Sequence, residues 1–457
     1  MKGHHPTPQN LAEKMVRRLF EGNLPMEGDR ILYPGCGTAP FAVAAENICQ
    51  ENGWPTPSGY GVDISPELLE AAREQSLRHV RFEQRDFLAS EMLEEEGPFN
   101  YIVGNPPYVP IEGLNKEEKT RYRAEFGTAS GRFDLYILFF ERALEMLAPS
   151  GRITFITPEK WEYVETATPL RTLLRDEEVH VEEIRHIEED TFEGLITFPS
   201  VTTIRRSQPS KTRVVLRDGT THATMLPASG QSWASSIRGA DLRDMETGLT
   251  LGDVTTRVSA GMATGADSIF VMKRDEVPSS LEPDWVRPTV SGRQLNEKGS
   301  PRTDSVLLCP YRDDGSLVEE QKLGTFGEWA QRHRDRLEDR SCVKKAGKEW
   351  YAWHETPPMS DLLQPKIVFK DIEKEPRFWA EREGDIIPRH SVYYLVPDQG
   401  VSFDGLLTYL NSPIAQEWME ANCQRAANGF LRLQSRVLRQ LPVPKDIVES
   451  YQTALAL

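Results

Sequence analysis

Asn105-Pro106-Pro107-Tyr108 directly follows the apolar run Tyr101-Ile102-Val103-Gly104, and these residue types in this order suit one chemistry, methylation of a planar amine. The nitrogen of an amino group conjugated to a ring or a carbonyl is a poor nucleophile because its lone pair is delocalised. Two acceptors aimed at its N–H groups, the Asn105 side-chain oxygen and the Pro106 backbone carbonyl, draw it toward tetrahedral geometry and free that pair. Consecutive prolines stiffen the turn, since each ring fixes its own φ and pushes the residue before it out of the helical region. Tyr108 then offers a face for stacking on a flat substrate. Alone, the tetrapeptide also reads as a plain Asn-Pro turn closing a strand, so the elements around it decide.

Those elements form an ordered series. Ile31 to Pro34 is a short apolar strand that runs through Gly35-Cys36-Gly37 into an Ala-rich helix from Phe41 to Ile48. Glycines at 35 and 37 let the backbone approach a bound molecule closely. The third glycine of the dinucleotide fingerprint is missing, which disfavours NAD. A second strand, Gly59 to Val62, ends in Asp63, placed to accept from two ribose hydroxyls. A third, Val80 to Glu83, leads to Asp86-Phe87, an acidic and aromatic pair suited to an adenine amino group and face. In a doubly wound sheet the carboxyl ends of parallel strands open onto one crevice, so four such motifs at successive strand ends converge.

In this series the chain resembles the S-adenosylmethionine-dependent amino-methyltransferases, most closely the TaqI-like, gamma-group adenine-N6 DNA methyltransferases, clearly over residues 4–205 and more weakly beyond. The resemblance implies an α/β fold: a Rossmann-like methyltransferase sheet with helices on both faces, followed by a mixed α+β target-recognition domain. By position it implies that Pro34, Gly35 and Gly37 line the methionine end of S-adenosyl-L-methionine, that Asp63 binds its ribose, and that Asp86 and Phe87 hold its adenine. Thr7-Pro8, before an amphipathic helix from Gln9 to Phe20, matches the segment that closes over the methionine, and Asn105 borders cofactor as well as substrate. Asn105, Pro106, Pro107 and Tyr108 become the catalytic motif. A second aromatic wall for the base is expected just before the strand Ser200 to Ile204; Phe192 fits best and Phe198 is its competitor. His4 and His5 read as a mobile terminus.

Further along, Asp134-Leu135-Tyr136 opens a helix that Pro149-Ser150-Gly151 ends before a strand from Ile153 to Thr157. Asp134 or Tyr136 reaches the pocket, or Asp134 merely caps the helix. Asp176 to Glu193 holds nine carboxylates and one arginine and reads as a solvated face far from any phosphate. The expected organisation is a catalytic domain at 1–206, a linker at 207–245 rich in Ser, Gly and Ala toward its end, and a DNA target-recognition domain at 246–457. Val258 to Asp267, Pro310-Tyr311, Ser391 to Leu395 and Leu406 to Trp418 resemble segments of the TaqI-like carboxy-terminal specificity domain. Asp371-Ile372-Glu373-Lys374 lacks the Glu-x-Lys spacing of metal nucleases and reads as a loop, so any restriction endonuclease partner is expected on a separate polypeptide.

Net charge is −16, with 54 basic and 70 acidic residues, the wrong sign for a polyanion's partner. Three stretches run the other way. Val201 to Arg217 has five basic residues and no acid, Arg332 to Lys348 has seven against three, and Ala421 to Leu441 has four arginines and no acid. These are expected to line one positive groove. Five cysteines with no C-x-x-C pair indicate neither a disulfide framework nor a metal site and fit a reducing compartment. With no apolar run of membrane-spanning length and no signal peptide, the expectation is a cytoplasmic monomer acting on duplex DNA. It is expected to flip an adenine from the duplex and methylate N6, as part of a restriction-modification system or as an orphan. The alternatives are a glutamine-amide methyltransferase of release factors, an RNA amino-methyltransferase, a non-enzymatic specificity subunit, and cytosine-N4 in place of adenine.

Overall fold

The computed structural model describes residues 5–188, 191–192, 198–228, 230–239, 248–295, 301–426 and 429–448. The chain divides into two compact units, Met1–Ala240 and Asp241–Leu457.

The first unit runs α1 (Gln9–Phe20), β1 (Arg30–Pro34), α2 (Pro40–Asn52), β2 (Ser58–Asp63), α3 (Pro66–Glu74), β3 (Val80–Gln84), α4 (Glu91–Glu95), β4 (Phe99–Gly104), α5 (Lys116–Glu125), α6 (Leu135–Glu145), β5 (Leu147–Pro158), α7 (Thr168–Leu173), β6 (Val179–His186), β7 (Pro199–Arg206), β8 (Thr212–Val215), β9 (Thr221–Thr224) and α8 (Ala234–Arg238). Its nine strands make one sheet in the order β3-β2-β1-β4-β5-β7-β6-β8-β9, and the first five are mutually parallel. Alternate residues of one strand enter different cores. Ile31 and Tyr33 pack with α1 and α2, whereas Leu32 packs with α6, so helices cover both faces. Burial on both faces is why β1 and β4 read as continuous apolar runs instead of alternating ones.

The strand order reverses between β1 and β4, the place where a doubly wound sheet opens its crevice. There the strands approach so closely that a Cβ on Gly104 would lie 3.0 Å from the Pro34 carbonyl oxygen. Any side chain there would be crowded, and glycine sets the first residue of the catalytic tetrapeptide beside the glycine turn.

Four expectations are corrected. Pro149-Ser150-Gly151 does not end α6, which stops at Glu145; β5 begins at Leu147 and carries the tripeptide within it, with Ser150 at φ 61°. The acidic run 176–193 is only partly a solvated face: Asp176, Glu177, Glu178 and Glu188 are exposed, but the run contains β6, where Glu182 is half-buried and Glu183 is 1% exposed. Its neighbours supply the cations: Arg213 of β8 lies 3.1 Å from Glu183, and Arg205 of β7 lies 3.8 Å from Glu182, which Arg152 of β5 also holds at 2.8 Å. The basic stretch 201–217 is therefore largely the cross-strand complement of the acidic run, and not one wall of a positive groove. Finally, the expected linker is folded into the first unit as far as the described residues reach, residue 239. Beyond β8 and β9, Trp233 is fully buried with its ring 5.4 Å from that of Trp161, and the buried Arg171 guanidinium donates to the Gly230 and Gln231 carbonyls at 3.0 and 2.7 Å. Small residues gave the segment a loop-like composition, while two side chains, Trp233 and Ile237, anchor it. Burial pulls Arg171 down to about 10, and each charge-assisted bond to a carbonyl offsets roughly 1.5–3 kcal/mol of that cost.

The second unit is mixed α and β. Its strands are β10 (Thr255–Ala260), β11 (Val271–Lys273), β12 (Val286–Val290), β13 (Ser305–Leu308), β14 (Lys366–Lys370), β15 (Ile372–Glu373), β16 (Phe378–Glu381), β17 (Ile387–Pro388), β18 (Val392–Pro397), β19 (Gln424–Arg425) and β20 (Leu431–Arg432). They form sheets ordered β10-β18-β14-β16, β11-β13-β12-β17 and β15-β20-β19. Two residues of the segment expected as a loop, Ile372 and Glu373, thus belong to a strand. A fully buried cross-strand ion pair, Lys366 with Glu381, links β14 to β16. Among the described residues no helix is long and apolar enough to cross a membrane, and no cluster of His, Cys, Asp or Glu has the makings of a metal site.

Candidate functional site

A cavity of about 270 Å³ opens at the carboxyl ends of β1, β2, β3 and β4, and its lining includes His5, Gly35, Asp63, Asp86, Phe87, Asn105 and Pro107. Motifs scattered over a hundred residues thus share one wall. A larger hollow of about 550 Å³ lies along α1, among Leu11, Met15, Phe20 and Trp54. None of the motif residues borders it, so size alone does not mark the site.

The turn after β1 is built on left-handed backbone, φ 61° at Gly35 and 55° at Gly37, which glycine adopts without strain. Pro34 closes the strand, and neither Pro34 nor Gly37 reaches the cavity wall. Gly37 instead donates its N–H to Asp63 Oδ2 at 3.0 Å, and Ser65 N–H donates to Oδ1 at 2.9 Å. Asp63 therefore fastens the glycine turn to the start of α3 while keeping free lone pairs on both oxygens toward the cavity. Asp86 accepts from Leu88 N–H at 3.0 Å and from Arg121 at 2.9 Å. Phe87 is buried against Phe139, ring centres 5.0 Å apart, and the exposed Ile64 forms part of the rim. A carboxylate, a glycine turn and an apolar slot side by side fit a nucleoside bearing an amino-acid tail, which is the shape of S-adenosylmethionine.

At the tetrapeptide, Asn105 Nδ2 donates to the His5 carbonyl at 2.9 Å and to Thr7 Oγ1 at 3.1 Å. These two bonds fix the carboxamide's orientation. Its oxygen, Oδ1, is buried and has no hydrogen-bond partner among the described residues. A dry, unpaired acceptor costs roughly 1–3 kcal/mol and is rare in folded proteins unless it has work to do. Pro106 is buried behind it. Tyr108 donates to the Ile156 carbonyl at 3.3 Å, and Tyr136 abuts it edge-on at 6.2 Å. Burial raises the phenols of both tyrosines, so both stay neutral across the physiological range.

Phe192 stands 6.2 Å from Tyr108 and perpendicular to it. Phe198 points elsewhere, lying 5.2 Å under the Arg217 guanidinium. His4 is outside the described residues, but His5 is not a free terminus: its ring packs 5.5 Å from Tyr108 and 6.4 Å from Phe192, completing a triangle of rings, and its carbonyl takes the Asn105 amide. Asp134 does not cap α6 with its side chain but forms an ion pair with Lys160 at 2.5 Å. Sequence reasoning missed Arg121, Phe139 and His5. The capping box Asn115 to Glu118 marks the start of α5, the helix that delivers Arg121, and is legible in the sequence; nothing local marks the other two.

The chain matches the Eco57I restriction-modification methylase family over residues 65–192 and the TaqI-like C-terminal specificity domain over residues 315–443. It is similar to the type II methyltransferase M.XhoI of Xanthomonas vasicola, 28% identical over 96% of this chain and 85% of that protein. It is also similar to M.PaeR7I of Pseudomonas aeruginosa, 27% identical over 86% and 72% respectively. Among solved structures, the type IIL restriction-modification enzyme MmeI, in complex with DNA, aligns over 94% of this chain and 64% of that one, with TM-score 0.63 and 12% identity, a likeness of fold.

Proposed function

Because the chain is a DNA methyltransferase of restriction-modification type, with an Eco57I-type methylase region and a TaqI-like specificity domain, we propose that it methylates the N6 amino group of adenine at specific sites in duplex DNA. Its cofactor, S-adenosylmethionine, supplies an electrophilic methyl group on a sulfonium. The chain's own residues do the rest. The second unit reads the sequence, and exposed Arg432, Arg436 and Arg439 are its candidate phosphate contacts. The target base leaves the stack at a cost of a few kcal/mol and enters the pocket beside Asn105.

There Asn105 Oδ1 and the Pro106 carbonyl accept the two amino hydrogens, Tyr108 stacks on the ring, and Phe192, perpendicular to Tyr108, packs edge-on against the base. Asp63, Asp86 and Phe87 position the cofactor, with Thr7 holding Asn105 and the glycine turn giving close approach. No residue needs to deprotonate the nitrogen before attack, since its proton becomes acidic only once methylated. Positioning and electrostatic preorganisation carry the rate. The observation that carries this reading is the buried, unpaired Asn105 oxygen held in a fixed orientation. Acting as a monomer, the enzyme would protect its sites from a restriction endonuclease carried on another polypeptide.

The test is transfer of labelled methyl from S-adenosylmethionine to unmethylated duplex DNA at several salt concentrations, with product nucleosides separated. Label in N6-methyladenosine supports the reading, and mapping the sites yields the recognition sequence. Label in N4-methylcytosine, in RNA or on a protein amide refutes it.

A further inference from the structure

We propose that Arg217 is a positioning residue for the aromatic wall, clamping both ends of the connection that carries Phe192; the inference rests on the reading of Phe192 as a ring that packs against the extruded base. Arg217 lies just past β8, in the stretch whose composition read as linker. Its Nε donates to the Ile187 carbonyl at 3.0 Å, and its guanidinium carbon sits 5.2 Å over the Phe198 ring. Ile187 and Phe198 flank the β6 to β7 connection, Phe192 among its residues. The backbone closes the same base: Ile187 N–H donates to the Pro199 carbonyl at 2.9 Å, and Glu159 N–H donates to the Phe198 carbonyl at 2.8 Å.

The third arm of Arg217 explains why an arginine stands there. Its Nη2 donates to Glu159 Oε2 at 2.5 Å. Glu159 is 2% exposed, immediately follows β5, and lies 3.7 Å from His186, which bonds Glu162 at 2.9 Å. β5 also contains Ile156, whose carbonyl takes the Tyr108 hydroxyl. One aromatic wall is therefore fixed through Ile156 and the other through Ile187 and Phe198, with Glu159–Arg217 tying the two together. A lysine can neutralise Glu159, but one ammonium lacks the planar fork needed to hold the Ile187 carbonyl and lie over the Phe198 ring simultaneously.

The test uses the full chain, comparing Arg217→Ala, Arg217→Lys, Phe192→Ala and the double variant Arg217→Ala/Phe192→Ala. The readouts are kcat, KM for unmethylated plasmid DNA, affinity for S-adenosylmethionine, and the fluorescence of a duplex carrying 2-aminopurine at the mapped target position. We expect Arg217→Ala to raise KM for DNA about tenfold, at the low end of losing one stacked base, with kcat and cofactor affinity nearly kept, as for loss of uniform binding. Arg217→Lys recovers part, and Arg217→Ala adds nothing in the Phe192→Ala background because both act through one ring. Should Arg217→Ala fail to fold, Arg217→Lys decides by the same KM and fluorescence criteria. Wild-type KM and fluorescence in the Arg217 variants, with Phe192→Ala impaired, overturn the positioning role alone, as does a full multiplication of the two effects. Wild-type behaviour of Phe192→Ala removes the reading of Phe192 as a base contact and the clamp's purpose with it.

Discussion

Replacing Asn105 by Ala separates catalysis from folding at this site, because the two ends of its carboxamide do different things. The change deletes two neutral hydrogen bonds, to the His5 carbonyl and Thr7 Oγ1, worth roughly 0.5–1.5 kcal/mol each. It also deletes the unpaired Oδ1, whose burial costs about 1–3 kcal/mol. The effects oppose, so the folded state loses at most about 2 kcal/mol, a fall of about 4–8 °C in Tm for a unit of this size. The rate has no such offset. Removing one preorganised polar partner from the place where charge develops costs about 100- to 1,000-fold, or 2.7–4 kcal/mol. Cofactor affinity should change less than about threefold, since Gly35, Asp63, Phe87 and Phe139 are untouched. Single-turnover transfer of labelled methyl to unmethylated DNA measures the first quantity and calorimetric titration with S-adenosylmethionine the second. A rate within about threefold of wild type would refute the acceptor role; loss of cofactor binding in step with rate would make Asn105 a scaffold residue.

Tyr108→Phe should keep transfer within about threefold, because the hydroxyl makes a single long bond to Ile156, while Tyr108→Ala should lose about 1–3 kcal/mol of base stacking; KM for DNA in the two variants tells them apart. In the second unit, Lys366→Met should cost about 3–5 kcal/mol by leaving Glu381 buried without its cation. Lys366→Met/Glu381→Leu should recover most of it, as read by denaturant midpoints, and equal losses in single and double variants would show that the pair's charge is irrelevant. Burial, and next the Asp134 charge, raise the Tyr136 phenol well above the unfolded value of about 10. The folded state then holds that proton more tightly, so the associated stability is complete below about pH 10 and is lost as pH rises beyond it. Tyr136→Phe should flatten the alkaline fall in unfolding midpoint between about pH 10 and 11, and an unchanged fall would rule Tyr136 out as its source.

What was legible in the sequence depended on how local each signal was. The helix from Gln9 to Phe20 has the bounds its apolar spacing predicts, and the strand ends at Pro34, Asp63 and Gly104 follow from turn residues placed after apolar runs. Convergence of Gly35, Asp63, Asp86 and Asn105 followed from topology alone, because parallel strands share one open end. The failures came where partners are distant in sequence. Acids at 182 and 183 looked solvated because their arginines lie on β5, β7 and β8. The Ser, Gly and Ala run near 230 looked like a linker because the carbonyl partner it needed was Arg171, some sixty residues earlier. His5 looked idle because its neighbours in space, Tyr108 and Phe192, are each about a hundred residues away or more.

The alternation of charge across β7, β6 and β8 has a consequence for how that half of the sheet chooses its alignment. A one-residue slip turns every apolar side chain to the wrong face and is excluded by hydrophobicity. A two-residue slip restores the facing and is invisible to the apolar pattern. It is visible to charge. Glu183 stands opposite Arg213 in the native pairing of β6 with β8, and a slip of two residues sets this buried carboxylate opposite Val215 or Lys211 instead. The first takes away one of the three arginines around it, leaving Arg18 and Arg185, and the second asks an exposed lysine to stand in for a fork. The acidic strand and its basic neighbours thereby proofread the one alignment error that a period-two apolar pattern cannot detect.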